Sequence, residues 1–148
     1  MTMLVAVCFL LVGSYAVVAF AQRPAAGGTP NPTPQATSII IATPSEFDYF
    51  RYLINSGTEN FARFTKIEIT ANLNMANYPW TPIGTSQHPF RGIIDFNNHT
   101  ITGIRDANFL FGTLDTNTEI HNLNLVAPGV GLYAAARGTV IRYNVRLS

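Results

Sequence analysis

The sequence predicts an all-β domain set behind an apolar N-terminal segment. Three observations lead there. Ile67 to Met75 alternates strictly between apolar and polar residues, and a short motif returns at intervals of about 20 residues near Ile101, Ile120 and Ile141. Helical apolar spacing is confined to Phe47–Ile54.

The chain has 148 residues, a length that fits one domain. Charged residues make up 11% and hydrophobic ones 47%, but part of the apolar excess lies in Leu4–Ala21. That run ends in Ala19-Phe20-Ala21, the small-x-small spacing of a signal-peptidase site, so residues 1–21 read as a signal peptide with Gln22 as the mature start. Met1-Thr2-Met3 contributes no lysine or arginine, and a run of roughly 18 apolar residues can just span a bilayer, so an uncleaved signal anchor is the alternative. Only in that case would the protein meet a membrane. Cys8 is the single cysteine and lies inside the apolar run, so the mature chain would have no disulfide or cysteine metal site. Residues 22–38, with Pro24, Pro30, Pro32 and Pro34, read as an extended Pro/Thr-rich linker. The net charge of +1, without a basic run, argues against a nucleic-acid partner.

Residues 39–148 form the expected folded domain, which opens with the β-like run Ile39-Ile40-Ile41. Thr43-Pro44-Ser45-Glu46 then has the residues of a capping box with proline in the first turn. Phe47, Phe50, Leu53 and Ile54 make one apolar stripe, and Asn55-Ser56-Gly57 stops the helix. A short helix with one apolar face at the head of a β domain suits a cap. In the following run Ile67, Ile69, Ala71, Leu73 and Met75 face one way, as in a half-buried strand. Ile101-Thr102-Gly103-Ile104 is matched nineteen residues later by Ile120-His121-Asn122-Leu123, and again from Ile141. Such a period suits a solenoid of stacked coils, and a small β-sandwich with short similar strands is the rival.

The segments Trp80-Thr81-Pro82-Ile83-Gly84, Pro89-Phe90-Arg91-Gly92, Ile94-Asp95-Phe96-Asn97-Asn98-His99-Thr100-Ile101, Phe109-Leu110-Phe111-Gly112 and Ile120-His121-Asn122-Leu123 stand in a definite order. This order resembles the β-helix modules, often found beside GLUG repeats, of bacterial surface and secreted proteins. The resemblance covers about residues 39–125. It implies a short right-handed parallel β-helix with an N-terminal capping α-helix, and a secreted or cell-surface location. Asn72-Leu73-Asn74 stands where the family usually has two aspartates, which weakens any calcium site there, and Phe96 and Asn98 replace two glycines. Asn97 and Asn98 tolerate the left-handed geometry such a turn needs.

Val140–Leu147 alternates, with Ile141, Tyr143, Val145 and Leu147 expected on one face. A bare edge strand there would stack on further coils or on another copy, as in a fragment of a longer protein. For chemistry the sequence offers little. His99 near Asp95 reads as a turn residue rather than a metal ligand, since a metal needs three or four convergent donors. Asp95, Asp106, Asp115 and Glu119 are carboxylates that do not recur at equivalent repeat positions, and no nucleophile elbow or phosphate loop is present. No catalytic, cofactor or metal residue is therefore assigned. Possible ligand contacts are Tyr78 and Trp80, whose rings could stack on sugars or pack over a coil end, together with Arg142 and Arg146 on coil faces. Asn122 and Asn144 are placed to form a ladder between turns. The expected role is structural or adhesive, toward carbohydrate or a host or cell-surface protein. The alternatives are the leading piece of a polysaccharide-active β-helix enzyme and a scaffold that nucleates later coils.

Overall fold

The expected helix forms as the cap residues dictate. The structure, a computed structural model, describes residues 8–12, 15–19, 36–59, 61 and 66–148, so most of the Pro-rich linker lies outside the described residues. Helix α1 spans Pro44–Asn55. The Thr43 hydroxyl accepts the Glu46 N–H at 3.2 Å, and the Glu46 carboxylate accepts the N–H groups of Thr43 and Ala42 at 3.1 and 2.6 Å. Both halves of the capping box are closed. Gly57, at φ 71°, turns the chain away after the last helical residue.

Among the described residues the strands fall into three sheets. The first joins β1 (Cys8–Val12), β2 (Tyr15–Ala19), β3 (Ala36–Ile41), β4 (Lys66–Ile69), β6 (Ile93–Asp95), β9 (Thr118–His121) and β12 (Val140–Tyr143), in that spatial order. The second joins β5 (Leu73–Asn74), β7 (Thr100–Thr102), β10 (Asn124–Val126) and β13 (Arg146–Leu147). The third pairs β8 (Phe109–Leu114) with β11 (Gly131–Ala136), and Ile83 and Phe90 extend it through single bridges to Phe111 and Leu114. Among the described residues every pairing except β1–β2 is parallel. From β4 onward the chain visits the first, second and third sheets in constant rotation. The apolar run near the N-terminus thus contains an antiparallel strand pair whose second member joins β3, and β3 begins at Ala36.

Register corrects two expectations. Ile101 does not align with Ile120: it pairs with Leu73 and Leu125 in the second sheet, while Ile120 pairs with Ile94 and Arg142 in the first. Partners along the column Ile39, Ile67, Ile94, Ile120 and Arg142 are 28, 27, 26 and 22 residues apart, so the nineteen-residue similarity is not a structural repeat. What recurs instead is a local device, a strand ending in a left-handed residue. Gly103 (φ 73°) supplies it after β7, and Asn122 (φ 53°) and Asn144 (φ 52°) supply it after β9 and β12. The second correction concerns Ile67–Met75, which is not one strand but β4 and β5 in different sheets. Ile67, Ile69, Leu73 and Met75 are all buried while Thr70, Asn72 and Asn74 are exposed, because both sheets face one interior and inward alternation survives the corner.

That interior is apolar and dense. Ile39, Ile41, Ile67, Ile69, Ile94 and Ile120 line it from the first sheet, and Leu73, Ile101 and Leu125 from the second. Phe50 meets Phe61 and Phe90 at ring separations of 5.0 and 5.8 Å, and Phe90 stacks on Phe111 at 5.7 Å. At the corners, side-chain amides replace missing backbone partners. Asn72 Oδ1 accepts the Thr100 N–H at 2.8 Å, and Asn97 Nδ2 donates to the Ile69 carbonyl at 2.9 Å. Asn72 thus fills, as an amide, the acceptor role a carboxylate could play. Asn97 (φ 48°) and Asn98 (φ 62°) adopt the left-handed geometry expected of them. Asn144 Nδ2 donates to Asn122 Oδ1 at 3.2 Å and to Asn98 Oδ1 at 2.9 Å, which makes the anticipated ladder one rung longer.

Candidate binding surface

Trp80 turns out to be a seat for the helix. Its side chain is only 2% exposed, so its face is not open to a sugar. Phe47 of α1 stacks on it at 5.3 Å, the Arg51 guanidinium lies 5.6 Å from its ring centre, and its indole N–H donates to the Leu110 carbonyl at 3.2 Å. Neighbouring residues complete the socket. Arg51 also donates to the Thr81 hydroxyl and pairs with Asp48 at 2.6 Å. Asn55 donates to the Pro82 carbonyl at 2.9 Å and accepts the Gly84 N–H at 2.7 Å. Every residue from Trp80 to Gly84 therefore either holds α1 or lines the interior, where Ile83 is buried.

Gly84 and Gly112 explain each other. Gly112 N–H donates to the Ile83 carbonyl at 2.8 Å, and Thr113 N–H donates to the Gly84 carbonyl at 3.0 Å. A methyl group on Gly112 would stand 2.2 Å from the Gly84 carbonyl oxygen. The third sheet closes at this point because neither residue carries a side chain.

Of the four proposed contacts, Tyr78 lies in a groove. With Ala76, Asn77, Pro79, Arg105 and Asp106 it lines a cavity of about 190 Å³. Tyr78 is half-buried, Arg105 donates to the Ala76 carbonyl, and Asp106 is held at φ 63°. The groove offers one aromatic ring, one guanidinium and one carboxylate. Arg142 is not on an outer face: it stands in register with Ile120, in the inward column, and is exposed because no described strand lies beyond β12 in that sheet. Arg146 is in register with Asn124 and exposed. The two arginines do not join Tyr78. Ile141 and Tyr143, expected on one face with Val145 and Leu147, flank Arg142 on the outside at 46% and 65% exposure while Leu147 stands in register with the inward Leu125, because the left-handed Asn144 reverses the alternation between them. Tyr143 packs edge-on against His121 at 6.0 Å.

The titratable side chains on the outer faces make local pairs. Lys66 lies 3.4 Å from Glu68 and 3.9 Å from Asp95, and His121 lies 2.9 Å from Glu119. Asp95 Oδ1 accepts the Asn97 N–H at 2.8 Å and the Asn122 amide at 3.0 Å, and His99 Nδ1 lies 3.3 Å from Asn72 Oδ1. Asp95 and His99 therefore serve the turn they occupy. Among the described residues no three His, Cys, Asp or Glu side chains gather as a metal site would require.

Sequence reasoning missed Arg105 and Asp106 as neighbours of Tyr78, some 27 positions away in the chain. The only signal was the consecutive charge pair at a loop. No described protein family and no solved structure matches the chain. A protein of Evansella cellulosilytica, named as a Gly-rich membrane protein, is 33% identical over 92 residues. The match takes in 58% of this chain and 10% of that protein, so the chain spans about a tenth of the length of this relative. Among the described residues no helix is long and apolar enough to cross a membrane.

Proposed function

We propose that the protein is a right-handed parallel β-helical module, exported and displayed at a bacterial surface, with a structural or adhesive role. The observation that carries this reading is the constant rotation of the chain, from β4 onward, through three sheets of parallel strands around a filled apolar interior. A stack of this kind leaves no internal ligand chamber, so its work falls to grooves and loops on the outside. The groove of Tyr78, Arg105 and Asp106 is one such surface, suited to a sugar ring held by stacking and by hydroxyl hydrogen bonds. Export is supported by the run Leu4–Ala21 with its Ala19-Phe20-Ala21 site, and by the likeness to part of a protein named as a membrane protein.

Two measurements test the reading. Expressed in a bacterial host, the chain is expected in the cell-surface or culture fraction with Gln22 as its first residue, shorn of β1 and β2 so that β3 becomes the edge of the first sheet, by intact mass and N-terminal sequencing. Retention of the untrimmed chain in the cytoplasm would overturn the exported role. On a glycan array the parent protein is expected to bind, and Tyr78→Ala is expected to weaken binding about tenfold, as loss of ~1.4 kcal/mol of stacking would. Equal binding by both proteins, or none by either, removes the groove from the account.

A further inference from the structure

We propose that a second cleft, between the end of α1 and the rim of the third sheet, binds a saccharide end bearing a carboxylate. This deepens the surface-display reading by naming a ligand class, and it uses residues remote from the Tyr78 groove. The cleft is a cavity of about 310 Å³, at the lower end of the ~300–1,000 Å³ range of ligand pockets. Arg91, Arg137 and His88 line it, with Glu59, Asp115 and Gln87.

The hydrogen-bonding capacity of these groups is unequally used. Asp115 Oδ1 already accepts the Thr116 N–H at 2.9 Å, and Glu59 Oε1 accepts the Phe61 N–H at 2.9 Å. Arg137 spends one N–H on the Ser86 carbonyl. Arg91 makes no polar contact with the described residues, so its five donors face the cavity or solvent. The surplus is therefore of cationic, forked donors, which match a carboxylate in paired hydrogen bonds. The second carboxylate oxygen of Asp115 is an acceptor for a hydroxyl group, and Ile54 and Pro89 offer apolar wall for the C–H face of a ring. A ligand with one carboxylate and several hydroxyls, such as a uronic acid, satisfies all three.

The cleft is also shaped in advance. The Thr85 N–H donates to the His88 carbonyl at 2.9 Å and the His88 N–H to the Thr85 hydroxyl at 2.9 Å, which closes the Thr85–His88 turn. The His88 imidazole lies against Gly57, where a methyl group would come within 2.5 Å of the ring. Gly57 at φ 71° therefore both ends the helix and admits the imidazole.

The test is a calorimetric titration of the whole chain with trigalacturonate, with its methyl ester and with acetate. Saturable binding of trigalacturonate is expected, at least tenfold tighter than that of either the ester or acetate, and weaker at high salt. Arg91→Ala and Arg137→Ala should each reduce affinity tenfold or more, at an unchanged urea midpoint, since both side chains are exposed. Tyr78→Ala should bind trigalacturonate as the parent does. Equal affinity for acid and ester, equal response to acetate, indifference to Arg91→Ala, or no saturable binding overturns the proposal. A chain that is exported and trimmed yet ignores trigalacturonate refutes this cleft and leaves the display reading standing.

Discussion

Trp80→Ala is expected to destabilise the domain by about 3–5 kcal/mol, the range for deleting a large buried aromatic. The side chain stacks on Phe47, underlies Arg51 and donates to Leu110, so its loss empties the seat of α1 as well as part of the interior. Trp80→Phe should recover part of the loss, because it keeps a ring beneath Phe47 and gives up only the indole N–H and some area. Urea unfolding of the three proteins measures this directly. A ligand-contact role makes the opposite forecast: weaker glycan binding at an unchanged midpoint. That outcome would falsify the burial argument for Trp80.

Gly84→Ala should be similarly severe, and a set of three glycine variants separates the two causes. At Gly84 a methyl group would lie 2.3 Å from the Thr113 carbonyl oxygen, and the residue sits at φ 89°. Overpacking against backbone costs about 1–3 kcal/mol, and forcing a side chain into left-handed geometry adds ~1–2 kcal/mol. Gly112→Ala carries the steric part without a left-handed backbone, its methyl meeting the Gly84 carbonyl oxygen at 2.2 Å. Gly129→Ala carries the conformational part alone, since its φ is 79° and nothing lies within 4 Å of the added group. The expected order of stability loss is Gly84, then Gly112, then Gly129. An equal loss at all three positions would mean that close approach of the two segments does not limit the third sheet.

These two experiments bear on residues that the sequence already marks but does not explain. Trp80, Gly84 and Gly112 stand out in the sequence within the ordered segments Trp80-Thr81-Pro82-Ile83-Gly84 and Phe109-Leu110-Phe111-Gly112. Their purpose appears only when Phe47 is laid on Trp80 and the Gly84 carbonyl is brought against Gly112. The start of helix α1 was legible to the residue and its end within the stop signal Asn55-Ser56-Gly57, because its cap, its first-turn proline, its apolar stripe and its terminating glycine are all local interactions. The inward alternation of Ile67, Ile69, Leu73 and Met75 was legible too, but not the corner that splits them, since turning at Thr70–Asn72 leaves the inward set unchanged. The Asn122–Asn144 rung could be anticipated; its continuation to Asn98 could not.

The binding surfaces were the least legible part. Tyr78 could be singled out as an aromatic beside a proline, whereas Arg105 and Asp106 reach it only through the stacking of β7 beside β5. Arg142 looked like a surface cation by alternation and occupies an inward position in the outermost described strand of its sheet.

By itself the sequence determined where the helix begins and ends, which residues seek the interior, and where asparagine and glycine let the backbone turn left-handed. Each of these depends on neighbours a few positions apart, so composition and spacing suffice. Only the tertiary structure decided which strand lies on which, and therefore which charged side chains share a groove. Register is set by how strands whose partners lie 22 to 28 residues apart pair around a common apolar interior, and loop length hides that alignment from any fixed sequence period.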